Sequence, residues 1–269
     1  MRQNLDDMSF EEAYSALRWQ VELGVDEAIS ETTIDRFCVE VDASRDPKER
    51  SNIKPVEDVP VVIQTPKAAP EVASMLAGQC DDLEALKNAM ALFDLCRLKE
   101  GARQLVFADG VPEADLMIIG EAPGRDEDRL GKPFVGRAGQ LLDAMFEAID
   151  RGRARDAENA IYITNVLPWR PPQNRDPNAE EIAMMIPFLY QHVALVKPKL
   201  IVLMGNIACQ AVLGQKGITK LRGKWVEPDL NPFGVPIMPM FHPAALLRDP
   251  LKKRDAWSDL QDIRDRINS

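Results

Sequence analysis

From about residue 100 the chain alternates short apolar runs with stretches of helical spacing. Asp115 to Ile119, ending at Gly120, Ala160 to Asn165, Lys199 to Met204 and Val235 to Phe241 read as strands. Each is apolar at successive positions rather than at alternate ones, as in strands buried on both faces. Between and after them, Gln140 to Ile149, Asn178 to Val196, Ala208 to Leu213 and Lys253 to Ile267 carry helical periodicity. Asn178 and Glu181 form a capping box, and Pro187 predicts a kink or step in that helix. Apolar strands alternating with helices predict an α/β fold with a parallel sheet covered on both faces.

Upstream the pattern differs. Phe10, Tyr14, Leu17, Val21 and Val25 fall at helical spacing, and Ser9 with Glu12 caps that helix. Pro47, Pro55, Pro60, Pro66 and Pro70 lie among many charges, which predicts a linker. A further helix is expected from about Asp81 to Leu95. The expected organisation is a helical extension over 1–40, a charged proline-rich linker over 41–75 and a main domain over 76–269. No internal repeat is present.

Composition narrows the class. Of 269 residues, 45% are hydrophobic and 28% charged, enough apolar mass for a real core. No run approaches the roughly 18 apolar residues of a membrane span. The acidic N-terminus lacks the basic start and apolar stretch of a signal peptide, so a soluble cytoplasmic protein is expected. Cys38, Cys80, Cys96 and Cys209 contain no CxxC pair, which argues against a zinc ribbon or a redox pair. Only His192 and His242 are available for histidine chemistry. The net charge is −10, but residues 1–80 hold 8 Lys/Arg against 16 Asp/Glu, leaving 25 against 27 in the rest. The acidity is therefore concentrated at the N-terminal side, and the remainder has room for a positive face.

In parallel α/β folds the chemistry lies at the carboxyl ends of the strands. The first strand is followed by Gly120-Glu-Ala-Pro-Gly124, Arg125-Asp-Glu-Asp128 and Gly131-Lys-Pro-Phe-Val-Gly136, which reads as a tight loop with exposed N–H groups. It has neither a GxGxxG nor a P-loop pattern. By composition alone its carboxylates suit a solvated turn and Phe134 suits the core. Asn165 ends the second strand, where a carboxamide that donates and accepts suits a nucleobase edge, or equally a turn. His242 ends the last strand, while His192 lies inside a helix and reads as structural. Lys216, Lys220, Arg222 and Lys224, then Arg248, Lys252, Lys253 and Arg254, offer either a phosphate track or a solvated face.

Taken together, these segments resemble the family 4 uracil-DNA glycosylases. The resemblance spans about residues 85–268. It rests on Gly120 to Gly124 with Glu127-Asp128, Gly131 to Gly136, Thr164-Asn165, Arg170-Pro-Pro172 with Asn174 to Pro177, and His242-Pro-Ala-Ala-Leu-Leu-Arg248. It implies a three-layer α/β/α sandwich with a central, mainly parallel sheet. It also implies roles: Gly120, Glu121 and Ala122 line the pocket, with Glu121 among the catalytic residues. Glu127 supports the water or the cationic sugar, Phe134 stacks on uracil, and Asn165 reads its edge. His242 hydrogen-bonds the uracil O2, and Leu246 wedges into the base stack. Arg170, Arg175 and Arg248 are the expected DNA contacts.

At one place the chain departs from the family, whose members usually hold a [4Fe–4S] cluster on four cysteines. Here the opening pair reads Phe93-Asp-Leu-Cys96, and the next two positions are Trp169 and Met185, so only Cys96 remains. A thiolate site needs its full ligand set, so no cofactor is expected and Phe93, Trp169 and Met185 pack in its place. Cys38, Cys80 and Cys209 have no spacing that would complete an atypical site. The expected protein is a monomer acting on uracil-containing DNA, without membrane association. A partner for the N-terminal extension is left open. The competing reading is a DNA-binding repair scaffold of the same fold without catalysis.

Overall fold

A computed structural model of the chain describes residues 69–269. The expected helix at Phe10, the greater part of the linker, and Cys38 lie outside them. The linker boundary moves: Ala69–Gly78 is a helix, α1, so the main domain begins earlier than residue 76. Pro70 belongs to its first turn, where a missing N–H costs nothing. Ala69, Ala73 and Ala77 form a small-residue stripe buried on the long helix α6.

The remaining helices are α2 (Leu83–Leu92), α3 (Leu98–Gly101), α4 (Arg125–Leu130), α5 (Arg137–Glu147), α6 (Ala179–Val196), α7 (Asn206–Leu213), α8 (Ile218–Leu221), α9 (Pro243–Arg248) and α10 (Lys253–Ile267). The strands are β1 (Asp109–Gly110), β2 (Leu116–Gly120), β3 (Ile161–Asn165), β4 (Leu200–Met204) and β5 (Ile237–Met240). The sheet order is β1-β3-β2-β4-β5, with only β1 antiparallel. From β2 the chain moves first to β3 on one side and then to β4 on the other. That reversal opens a crevice at the carboxyl ends of the strands. The register brings Gly120 level with Asn165 and Met204 level with Met240, so the strand exits converge.

Every residue of β2, β3, β4 and β5 is buried. Met117, Ile119, Tyr162, Ile201 and Leu203 face a core closed by α1, α2, α6 and α7. Leu116, Ile118, Ile161, Ile163, Val202 and Met240 face a second core closed by α5, α9 and α10. This is the expected three-layer sandwich. Pro239 is tolerated because β5 pairs with β4 on one side and makes only an isolated bridge, at Val226, on the other.

Two local expectations meet the structure here. α6 runs as one helix through Pro187, so the proline does not end it. The segment Gly120–Gly136 is not all loop, because Arg125–Leu130 forms α4. Its polar face hid it from hydrophobic periodicity; Asp128 is its one buried residue. The predicted structural role of His192 holds. It is buried, stacks on Phe107 with ring centroids 4.5 Å apart, and bonds the Tyr162 hydroxyl at 2.8 Å. Burial pushes its pKa down to about 3.

Arg153 joins four segments. It bonds Asp109 and Asp143 at 2.8 Å each, and donates to the carbonyls of Pro133 at 2.8 Å and Phe134 at 2.6 Å. Arg153→Ala is expected to lower the unfolding free energy by about 2 kcal/mol, because buried acceptors lose their donor. Denaturant titration should show a lower midpoint at unchanged slope.

Candidate active site

The carboxyl ends of β2, β3, β4 and β5 surround a cleft of about 610 Å³. Glu121, Ala122, Glu127, Phe134, Asn165, His242, Arg175 and Arg248 line it. The structure therefore brings together most of the residues singled out in the sequence. Gly120 lies just behind the lining. A Cβ there would sit 2.3 Å from the Asn165 Oδ1 and 2.6 Å from the Phe134 ring, so only glycine lets the two side chains approach.

Glu127 shapes this slot. Its Oε1 accepts from the Val135 and Gly136 N–H groups at 2.9 Å each, and its Oε2 accepts from the Gly124 N–H at 3.1 Å. Both oxygens are thus committed to backbone, on either side of the turn that carries Phe134. Phe134 itself has φ of 54°, a strained value for an aromatic residue. Arg153 holds its carbonyl, and Gly139 leaves room for it, since a Cβ at 139 would lie 1.7 Å from that oxygen. The ring so placed stacks near His242, with centroids 5.4 Å apart and planes 28° from parallel.

His242 is the N-cap of α9. Its Nδ1 accepts from the Ala244 N–H at 3.1 Å, which leaves the proton on Nε2. Burial first, then the nearby Arg248, lower its pKa to about 4 against the opposing pull of Glu127. The ring is therefore a neutral donor at physiological pH. Asn165 is buried, and its Oδ1 has no hydrogen-bond partner among the described residues. A buried unpaired acceptor in a cleft is costly in the free protein and suits a ligand donor. The Glu121 carboxyl makes no hydrogen bond among the described residues. Burial, and then the charge of Asp176, raise its pKa to about 7.

Three expected DNA contacts are placed differently from one another. Arg248 is exposed on the cleft rim, and no acidic partner is recorded for it among the described residues. Arg175 lines the cleft, but its guanidinium is paired in fork geometry with the buried Glu181 at 2.5 and 2.9 Å. Arg170 lies outside the lining and donates to Asn174 Oδ1 at 2.8 Å. Leu246, the expected wedge, is 1% exposed and packs in the core below α9, away from the cleft. With about 3.6 residues per turn, Ala244, Ala245 and Arg248 face the cleft and Leu246 points away. The exposed neighbour is Leu247.

The structure adds to the site residues to which the sequence gave no role. Asp176 and Pro171 form a wall beyond β3, and Gly205 and Asn206 follow β4. The strand-end rule applied to Met204 points to the latter pair. Asp176 falls within the Asn174 to Pro177 motif, which gave it no role of its own, because its place at the cleft depends on how the loop after Trp169 folds back.

The residues at the four cluster positions do not fit an iron–sulfur group. Phe93, Trp169 and Met185 supply rings and a thioether, all buried in one apolar core with the Cys96 thiol. Among the described residues no three His, Cys, Asp or Glu gather as metal ligands, and no helix is long and apolar enough to cross a membrane.

This fold and strand-end site belong to a known class: the chain is a member of the uracil DNA glycosylase superfamily, whose sequence model matches residues 107–261. Within it the chain is similar to type-4 uracil-DNA glycosylases. That of Sulfurisphaera tokodaii is 36% identical over 190 residues, 69% of this chain and 84% of the relative. That of Pyrobaculum aerophilum is 36% identical over 184 residues, 66% of this chain and 91% of the relative. That of Thermotoga maritima is 36% identical over 172 residues, 62% of this chain and 84% of the relative.

The α9 assignment is open to a direct check. Leu246→Ala should cost about 2–4 kcal/mol of stability as a core truncation. Leu247→Ala should change it by less than about 0.5 kcal/mol. Equal effects in thermal or denaturant melts would contradict the assignment.

Proposed function

We propose that this chain hydrolyses the N-glycosidic bond of uracil in DNA and leaves an abasic site, as the first step of base excision repair in the cytosol. The observation that carries this reading is the pairing of an unpartnered Asn165 amide with a neutral Nε2–H donor on His242 beside a fixed aromatic ring. Uracil offers O4 to the Asn165 amide N–H and N3–H to its oxygen, whereas cytosine presents the opposite pair. Phe134 stacks on the base.

Cleavage moves the bonding electrons of the glycosidic bond onto uracil, and negative charge gathers at N1 and O2. His242 Nε2–H donates to O2, a fixed dipole aimed at developing charge. The sugar becomes oxocarbenium-like, and water adds to C1′. Glu121 accepts the proton of that water, a task matched by its pKa of about 7. Glu127 takes a different role from the one that the resemblance implied. With both oxygens on backbone N–H groups, it positions Phe134 rather than meeting the sugar. Arg248 anchors a phosphate at the rim, and Leu247 fills the gap left by the extruded nucleotide. The protein acts as a monomer.

The test is incubation of the purified chain with a uracil-containing oligonucleotide, followed by alkaline cleavage. Strand scission at uracil is expected; DNA binding without scission would favour an inactive scaffold. His242→Ala should slow excision by about 10²-fold or more. Glu121→Gln should cost about 10²- to 10⁴-fold, the usual range for a general base. The ionised fraction of Glu121 grows as pH rises through about 7, so excision should climb through that pH and then level. His242, already neutral above about 4, adds no limb near 6.5. Asp176→Asn removes a raising charge and should move the limb to lower pH. A limb unmoved in Asp176→Asn and persisting in Glu121→Gln would assign the base elsewhere.

A further inference from the structure

The segment that leaves β3 is held between the pocket and an apolar plug. On the pocket side, the Val166 N–H donates to the Gly120 carbonyl and the Leu167 N–H to the Glu121 carbonyl, at 3.0 Å each. The Pro168 carbonyl accepts from the Val106 N–H at 2.9 Å. Trp169 comes next and is 2% exposed, and Pro171 is already back at the cleft. Three residues thus separate Asn165, which faces the cleft, from a tryptophan sunk in the opposite core. In that core Phe93 meets Phe188 of α6 edge-on at 5.3 Å, and Met185 lies one turn earlier on the same helix. Cys96 is buried beside α6 as well, and feels the charge of Glu181.

We propose that Trp169, which shares a buried apolar core with Phe93 and Met185, is a positioning residue that sets the β3 exit by apolar packing, so that the pocket is held in shape without an iron–sulfur cluster. In the relatives' arrangement implied by the resemblance, thiolate–metal bonds would tie together the α2 exit, the β3 exit and α6. Here the same three segments contribute two rings and a thioether to one apolar core. Close-packed interiors transmit small displacements rather than absorb them. Loss of the indole would therefore loosen Val166 and Leu167, and with them the amide of Asn165 and the backbone of Glu121.

The activity readout rests on the glycosylase reading; two others do not. The full-length protein, its Trp169→Ala variant and its Trp169→Phe variant are compared by iron and sulfide analysis, amide hydrogen exchange and single-turnover uracil excision. The wild type should carry no stoichiometric iron. Trp169→Ala should lose exchange protection at Val166 and Leu167. It should excise uracil about tenfold more slowly or worse, in line with the cost of misplacing reacting groups, at unchanged DNA affinity. Trp169→Phe should recover most of both. Should Trp169→Ala fail to fold, Phe93→Leu carries the same three readouts. About four irons per chain would overturn the proposal, whichever cysteines hold them. So would wild-type protection and excision in Trp169→Ala. A wild type that excises no uracil refutes the function instead, and leaves the iron and exchange measurements to decide the plug.

Discussion

The site depends on one carboxylate that binds backbone. Glu127 gathers the N–H groups of Gly124, Val135 and Gly136. It thereby ties the start of α4 to the turn before α5, with Phe134 held between them at a positive φ. From the other side Arg153 draws in the Pro133 and Phe134 carbonyls. An anion on the donors and a cation on the acceptors fix a strained turn that no regular element supports. Strain of this kind persists only where the surroundings over-determine it. Gly120 and Gly139 are the sterically matching requirements, each making space for Phe134.

Once the ring is fixed, the remaining electrostatics follow from burial. The same desolvation acts on two groups in opposite senses of charge and one sense of outcome. It raises the Glu121 carboxyl to about 7 and lowers the His242 imidazole to about 4. Both therefore tend to be neutral, in a slot whose rim carries the cationic Arg248. A neutral donor at His242 gains strength as the base becomes anionic, and need not give up a proton. A carboxyl poised near neutrality accepts one readily. The two carboxylates differ in their partners: Glu127 accepts from three backbone N–H groups, and the Glu121 carboxyl from none among the described residues.

Much of this was legible in the chain. The strands were readable because burial on both faces makes them continuous apolar runs, and the strand-end rule then led to Gly120, Asn165 and His242. α4 and α1 escaped because one is a six-residue polar helix and the other is alanine-rich with a proline in its first turn. Spacing from His242 did not show that Leu246 is buried, because His242 is the non-helical N-cap of α9 while Leu246 follows the helix's own phase into the core. The role of Glu127 was not readable from its position in a motif. It depends on amides eight and nine residues along the chain, and only the folded turn brings those within reach. Asp176 likewise acquires its influence on Glu121 through the folding of a loop.

Amide hydrogen exchange at Gly124, Val135 and Gly136, compared between the wild type and Glu127→Ala, tests the clasp most directly. The account predicts that these three amides are protected in the wild type and lose protection together in the variant, while amides of β2 and β4 keep theirs. Unchanged protection at Val135 and Gly136 in Glu127→Ala would contradict it, and would return Glu127 to a direct part in the chemistry.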